Sequence, residues 1–321
     1  MSPAKLIAAV LPLVAGLVSA HADVYPSAPV RLVVPFPPGG PVDLVARVIS
    51  GPLGQELGQP IVVENKAGAG GNIAAGEVAR AKADGYTLSM VYETHATANL
   101  FNKNYKFDAF DSFEYISLLG QSPTVLATSL QSGYDTLAKY IAALKARPEQ
   151  INQAVPGPGA ASMLKPELLN QALGSRVTYV PFSGAAPAFT ALAGGQIDVV
   201  LASVPALLPL IQAKRVNAIA VGSAQPLPAL PGVPPLSTVV PGYESTIWVG
   251  LVAPKGTPKA VTERIALAVR RGLEQPAVKK QLEDASFVVL ATDRSRFIER
   301  ARADHRAAQM LIDKGVLKAD E

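Results

Sequence analysis

Residues 30–43 read VRLVVPFPPGGPVD. The apolar, β-branched run Val30–Val34 ends at Pro35 and predicts a buried strand. A Pro/Gly loop follows, and the apolar residues of segment 44–57 then recur at helical spacing. A strand, a glycine-bearing loop and a helix in this order form the unit from which parallel sheets covered by helices are built.

The unit recurs in both halves of the chain. In the first half we predict strands at residues 61–64 and 87–92 around a helix at 73–81. A second α/β unit follows, with strands at 152–155, 177–180, 197–202 and 218–221 and helices at 136–146, 162–172, 186–193 and 204–212. Residues 225–241 are rich in proline and predict a connector. The remaining chain predicts a strand at 247–253 and helices at 258–272, 276–284 and 293–314.

The composition excludes several classes of function. Of 321 residues, 49% are hydrophobic and 17% are charged, which permits a sizeable core and argues against disorder. The net charge is +4, but the basic residues are scattered, so no nucleic-acid-binding surface is predicted. The chain has no cysteine, which excludes disulfides, thiol nucleophiles and zinc–thiolate sites. We expect no cofactor and no metal.

The first residues have the pattern of an export signal. Residues 1–5 carry one positive charge, residues 6–18 are apolar, and Ala20-His21-Ala22 fits the small-x-small rule of signal peptidase. The apolar run is shorter than the roughly 20 residues that a membrane-spanning helix needs. We therefore predict a signal peptide at residues 1–22, cleavage after Ala22 and a mature periplasmic protein that begins at Asp23. The alternative is an uncleaved anchor.

Loops of glycine, proline, alanine and serine follow the predicted strands. In an open parallel sheet, ligands bind beyond the carboxyl ends of the strands. Such loops let backbone N–H groups approach a ligand, and the helix that begins there favours negative charge. Any one of these loops is more typical of a tight turn, but four of them in two α/β units favour a binding cleft.

The chain resembles the Bug-type solute receptors of tripartite tricarboxylate transporters. Residues 35–43, PFPPGGPVD, are similar to the P-F-x-P-G-G-x-x-D signature of that family. Similar stretches lie in order at residues 58–73, 83–88, 180–188, 194–198 and 248–258. The resemblance implies a type II periplasmic binding protein, an α/β fold of two lobes, each with a mostly parallel sheet flanked by helices, with a ligand cleft between them. It implies lobe boundaries of 23–122 with 243–321 for the first lobe and 123–242 for the second.

The resemblance also implies which residues line the cleft. In such receptors the ligand carboxylate lies against backbone amides of the first loop. In the second lobe this chain departs from the family pattern, because Ala160, Ala161 and Ala185 replace hydroxyl-bearing residues, Met163 replaces a histidine and Ser183 a lysine. The expected ligand-binding residues are Phe36, Pro38, Gly39, Gly40, Glu93, Thr94, Gly159, Ala160, Ala161, Ser162, Phe182, Ser183, Gly184, Ala185 and Ser203.

Helix starts and Glu93 bear on the ligand. Helices that begin after Gly40 and Gly159 favour one carboxylate without a basic side chain. If Glu93 is buried and faces the cleft, it repels a second acidic group and accepts from an amine or amide; the alternative is that it points to solvent. We therefore expect a small monocarboxylate, an amino acid or an amide-bearing ring, and not citrate. The methyl groups of the three alanines also favour an apolar ligand body.

We expect this receptor to be a monomer that closes around its ligand by rotation at hinges near residues 121–128 and 225–245. Its partners are expected to be integral-membrane transporter subunits, or it serves in sensing, and no nucleic acid is expected.

Four conspicuous residues have structural explanations. Asp43 is predicted to brace the first loop and to favour the start of its helix, and His95 to form a loop hydrogen bond. Trp248, the single tryptophan, is predicted to pack in a lobe or hinge. Ser162 fits the start of a helix as well as it fits a ligand contact.

An exported α/β hydrolase-like enzyme is the alternative function. It needs a nucleophile beside a base, but His95 and His305 are far apart in sequence and no G-x-S-x-G or H-E-x-x-H is present. A purely structural role would not explain the loops at the strand ends. The sequence therefore favours a receptor over an enzyme.

Overall fold

The computed structural model describes residues 25–155 and 160–318, with no account of the side chains of residues 160 and 161. The predicted signal peptide, Asp23 and Gly159 lie outside the described residues. The strands are β1 Val30–Val34, β2 Ile61–Asn65, β3 Thr87–Tyr92, β4 Phe113–Ser129, β5 Asn152–Val155, β6 Thr178–Pro181, β7 Val199–Ser203, β8 Val216–Val221, β9 Thr246–Pro254 and β10 Val288–Val289. The helices are α1 Pro41–Leu57, α2 Asn72–Val78, α3 Ala98–Phe101, α4 Leu137–Ala146, α5 Leu164–Ala172, α6 Ala185–Ala193, α7 Val204–Gln212, α8 Lys259–Glu274, α9 Pro276–Asp284 and α10 Arg294–Asp313.

The strands form two mostly parallel groups joined by long antiparallel strands. The order along the sheet is β2-β1-β3-β9-β4-β7-β5-β6, with β8 and β10 also paired with β4. Strands β1, β2 and β3 are parallel, as are β5, β6 and β7. Strand β9 runs antiparallel to β3, and β4 runs antiparallel to both β9 and β7. The predicted α/β fold of two lobes is confirmed, and the two groups are the sheets of the first and second lobe.

Strand β4 belongs to both lobes. No strand was predicted there from the sequence. It pairs with β9 as far as Pro123 and with β7 and β8 from Thr124 onward. All of its residues except Gln121 are buried. Because both faces are covered, the strand lacks the alternation of apolar and polar residues by which a half-exposed strand is recognised.

The second connection between the lobes lies beside this strand. The Thr124 N–H donates to Ser245 O at 3.0 Å, the Gly222 N–H to Thr124 O at 2.8 Å, and the Ser245 N–H to Gly222 O at 2.8 Å. A Cβ atom on Gly222 would lie 2.4 Å from Ser245 O, so only glycine fits there. The predicted connector at residues 225–241 contains no α-helix or strand, only the 3-10 turn Leu236–Thr238.

Helices cover both faces of each sheet. In the first lobe, α1 packs on one face through Val45, Ile49 and Leu53, and α10 packs on the other through Phe297. A Cβ atom on Gly250 of β9 would lie 2.0 Å from the Phe297 ring, so this glycine allows α10 to approach the sheet closely. No helix in the described residues is both long enough and apolar enough to span a membrane.

Candidate functional site

The carboxyl ends of the two parallel groups face each other across the crossing. Tyr92, at the end of β3, pairs with Val249 of β9, and Val249 pairs in turn with Gly120 of β4. Ser203, at the end of β7, pairs with Thr124 of β4. Gly120 and Thr124 are four positions apart on β4. The ends of β3 and β7 therefore lie roughly 13 Å apart along that strand, at about 3.3 Å per residue. The loops that follow β1 and β3 face those that follow β6 and β7, which is the geometry of a cleft.

Side chains brace the first-lobe loop, residues 35–40. Gly39 has φ +85°, a left-handed conformation that favours glycine. The Gly39 N–H donates to Asp43 Oδ2 at 2.9 Å, and Asn65 Nδ2 donates to Asp43 Oδ1 at 2.8 Å and to Phe36 O at 3.0 Å. Asp43 thus has the bracing role predicted for it. These contacts tie the loop to the first turn of α1 and to the end of β2.

The charge of Asp43 is secured by the same contacts. Burial raises the pKa of this carboxyl, but hydrogen bonds from Arg47, the Gly39 N–H and Asn65 outweigh it and hold the pKa below its usual value. Arg47 Nε lies 2.9 Å from Asp43 Oδ2. The guanidinium of Arg47 is therefore already paired with Asp43.

The loop after β3 continues the braced surface. Phe36 is half-buried, and its ring meets Tyr92 edge-on at 5.5 Å between centroids. Thr94 Oγ1 donates to Gly70 O at 3.3 Å. His95 is buried, its Nε2 lies 3.2 Å from Ala109 O, and burial lowers its pKa to about 4. His95 is thus a neutral loop hydrogen-bonder, as predicted.

The second-lobe loop, residues 182–185, is built differently. Phe182 packs against the core of its lobe, whereas Ser183 and Ala185 are exposed. Gly184 occupies the N-cap position of α6 and Ser203 that of α7, and neither helix has a side-chain cap. Within the described residues, no side-chain hydrogen bond ties this loop to a neighbouring element.

Three helices present their N-termini to the cleft. Helix α1 begins after Gly40, α6 after Gly184 and α7 after Ser203, each without a side-chain cap. The first-turn N–H groups of a helix have no acceptor within the helix, and the dipole favours an anion there. Each first turn contains a proline without an N–H, Pro41, Pro187 or Pro205, so each end offers fewer donors than an ordinary helix start. The remaining N–H groups and the dipole favour an anion such as a carboxylate.

Four charged side chains meet where the lobes touch, and we call them the interlobe cluster: Glu93, Lys165, Arg300 and Asp304. Lys165 Nζ, on α5, lies 3.1 Å from Asp304 Oδ1 and 3.7 Å from Glu93 Oε2. Asp304 Oδ2 also accepts from Trp248 Nε1 at 2.7 Å and lies 3.6 Å from Arg300 Nη2. The side chains of Lys165, Glu93 and Asp304 are 12%, 14% and 7% exposed. Trp248 therefore packs at the hinge side of the first lobe, as predicted.

Glu93 is the poorly satisfied member of this cluster. Its Oε2 atom is buried and has no hydrogen-bond partner in the described part of the chain. The Nε atom of Arg300 is likewise buried and without a partner there. Burial raises the pKa of Glu93 to about 7, although Lys165 acts in the opposite direction. The alternative that Glu93 points to solvent is wrong.

The remaining predicted site residues are distributed as follows. Pro38 and Gly39 are exposed at the tip of the first-lobe loop. Ala160, Ala161 and Ser162 lie in the 3-10 helix Ala160–Met163. Helix α5 was predicted to begin at Ser162 but begins at Leu164, with Met163 at the N-cap position. The sequence analysis did not include three residues, Lys165, Arg300 and Asp304. They lie on helices far from Glu93 in the sequence, and the sequence does not show that these helices pack against Glu93.

Residues 45–316 match the family described as "Tripartite tricarboxylate transporter family receptor". Protein BugT of Bordetella pertussis is 32% identical over 280 residues, which are 86% of this chain and 86% of BugT. MatC of Rhodopseudomonas palustris, solved with bound malate, is 30% identical with a TM-score of 0.77, over 88% of this chain and 98% of MatC. Rpa4515 of the same organism, solved with adipate, is 28% identical with a TM-score of 0.84, over 92% of this chain and all of Rpa4515 (100%).

Proposed function

This chain belongs to the tripartite tricarboxylate transporter receptor family of solute-binding receptors, and we propose that it captures a small carboxylate between its lobes and closes around it. The observation that supports this most strongly is the set of helix N-termini without side-chain caps at the ends of β1, β6 and β7. Apart from the prolines in their first turns, they provide N–H donors and positive dipole ends for an anion. The carboxylate would lie against the first-lobe loop, since that loop is already braced.

The rest of the ligand is proposed from the groups around the cleft. Ala185 presents a methyl group on the exposed second-lobe loop, which favours an apolar ligand body. Glu93 was expected to repel a second acidic group, but Lys165 lies 3.7 Å away and offsets part of its charge. We still propose one carboxylate, with an apolar body or an N–H donor, as in a monocarboxylate, an amino acid or an amide-bearing ring. The dicarboxylates bound by the two solved relatives, malate and adipate, are the competing class.

A ligand panel tests this proposal. Thermal shift with benzoate, alanine, benzamide, malate, adipate and citrate identifies binders, because a ligand that binds the folded state raises the melting temperature. Calorimetry then ranks the binders on wild-type protein and on Glu93→Gln. Tighter binding of citrate than of any monocarboxylate would contradict the proposed class. A ligand preference unchanged in Glu93→Gln would remove Glu93 from the argument.

We propose that the chain is not an enzyme. Among the described histidines, His95 is buried against a backbone carbonyl and His305 Nδ1 lies 2.9 Å from Ala96 O, so neither is placed beside a nucleophile. A turnover assay on metabolite esters and amides checks this. Hydrolysis that is lost with a substitution in the first-lobe loop would establish the hydrolase alternative.

We also propose that export removes residues 1–22 and that the lobes comprise residues 23–122 with 243–321, and 123–242. The change of strand partners in β4 between Pro123 and Thr124 supports the first boundary. The intact mass of the exported protein tests the cleavage. A mass that includes Met1 to Ala22 would contradict it.

A further inference from the structure

The two lobes touch at a second place besides the crossing strands. Leu164, the first residue of α5 in the second lobe, is buried against Phe101, Ala308 and Leu311 of the first lobe. Lys165 follows it and reaches Asp304 and Glu93, which also belong to the first lobe. An opening of the cleft that separates α5 from α10 would break all of these contacts together.

The two carboxylates around Lys165 are not equivalent. Asp304 lies closer to Lys165 and also accepts a hydrogen bond from Trp248. Glu93 lies 3.7 Å from Lys165, too far for a hydrogen bond, and its buried Oε2 has no other partner in the described residues. A carboxylate with one buried oxygen that accepts no hydrogen bond is costlier to keep ionised than protonated, although Lys165 at 3.7 Å offsets part of that cost. Glu93 is therefore the group that gains by taking up a proton when the lobes meet.

We propose that the interlobe cluster is a proton-linked latch, in which Lys165 ties α5 to the first lobe and Glu93 takes up one proton as the lobes close. The latch acts in the receptor without ligand. It therefore does not depend on which ligand the cleft binds.

The charged and titratable groups that act on Glu93 come from four elements. They are Lys165 on α5, Arg300 and Asp304 on α10, Tyr92 at the end of β3 and Tyr243 before β9. Burial raises the pKa of Tyr243 to about 12 and that of Tyr92 well above its usual value, so both tyrosines stay neutral near pH 7. The pKa of Glu93 is raised to about 7, first by burial.

The sign of the pH dependence follows from these directions. In this proposal, opening removes Lys165 and α5 from Glu93 and admits water, so that the carboxyl titrates near the ordinary value of about 4.3. Closure is then most favourable below that value, and the advantage is lost as the pH rises to about 7. Between these limits the ratio of closed to open receptor changes by up to about tenfold per pH unit.

Trp248 offers an optical test, because it is the single tryptophan of the chain and its indole N–H binds Asp304. We expect the fluorescence of the ligand-free wild type to change with pH between about 4.3 and about 7, and Glu93→Gln to show no such change. Glu299→Gln, an exposed substitution on the same helix α10, is the matched control and retains the change. The same transition in Glu93→Gln as in wild type would overturn the proposal.

Small-angle scattering of the same proteins tests the closure itself. We expect a smaller radius of gyration at pH 5.5 than at pH 8.5 in wild type, and a compact form at both values in Glu93→Gln. Lys165→Met should be expanded at both, and Lys165→Arg should restore compaction at pH 5.5. A wild-type radius that does not change with pH overturns the latch. A ligand panel without a binder would bear on the proposed function alone, since this experiment contains no ligand.

Discussion

The loops that face each other across the cleft differ in what holds them. The first-lobe loop is tied by Asp43 and Asn65 to the start of α1 and to β2. The second-lobe loop has an exposed Ser183 and Ala185 and begins a helix without a side-chain cap. From this difference we propose that the first lobe offers a preformed binding surface and that the second lobe covers the ligand.

Removal of the brace should have the largest effect. Asp43→Ala leaves the Gly39 N–H without its acceptor and removes one of the two acceptors of the Asn65 amide, and we expect a loss of about 3 kcal/mol in the free energy of unfolding. Urea denaturation measures it. Asp135→Ala, which removes only an exposed ion pair with Lys139, is the control and should cost less than about 0.5 kcal/mol. Equal losses in the two variants would mean that the loop is not braced by Asp43.

Substitution of one glycine in each loop should give effects of intermediate size on stability. Gly39 has φ +85°, so Gly39→Ala should cost about 1 kcal/mol. Gly184 has φ 173°, an extended backbone, and a Cβ atom there meets nothing within 4 Å. Gly184→Ala should therefore be neutral or stabilising by about 0.5 kcal/mol. Thermal melts of both variants check the difference, and a larger loss for Gly184→Ala would reverse the comparison.

Hydrogen exchange should show the same contrast without substitutions. The Gly39 N–H is bonded to a buried carboxylate and should exchange slowly, whereas the Ala185 and Ala186 N–H groups open an exposed helix end and should exchange fast. Exchange followed by NMR in the ligand-free protein measures all three. Similar rates in both loops would argue against a preformed first-lobe surface.

Hinge closure gives the smallest expected change. A saturating ligand identified by the panel should lower the radius of gyration, because the two crossings near Thr124 and Ser245 allow rotation by a few backbone dihedrals. Scattering at pH 8.5 should show the largest decrease in radius, because the latch is weakest there and the ligand-free receptor is most open. An unchanged radius would indicate a rigid receptor.

Most of the units that lie within one lobe could be predicted from the sequence, but the short helix α3 and the short strand β10 were missed. The bounds of β1, β3, β5, α7 and α9 agree with the pattern of apolar residues and prolines. The role of Asp43 was also predictable, because a carboxylate one turn into a helix lies within reach of the loop before it. Strand β4 could not be predicted, because it packs in both lobes and its apolar sequence is interrupted by Gln121, Ser122 and Pro123.

The candidate site was predictable only in part. Loops that follow strands are visible in the sequence, so Phe36, Gly40, Glu93 and Ser203 could be proposed as cleft residues. The partners of Glu93 could not, because Lys165 and Asp304 lie on amphipathic helices where a charged residue normally marks a solvated face. Their burial depends on how the second lobe docks on the first, and this information is not local.

The pairing of β9 with both β3 and β4 has a consequence for folding. Contacts between residues distant in sequence form slowly, because a long loop must close before they stabilise the chain. The sheet of the second lobe lies within residues 124–221, whereas the first lobe lacks its central strand until β9 is in place. Pulse-labelled hydrogen exchange during refolding should show β5 and β7 protected before β3, and the reverse order would disprove this. During synthesis, the first lobe therefore stays incomplete until the chain has been made as far as β9.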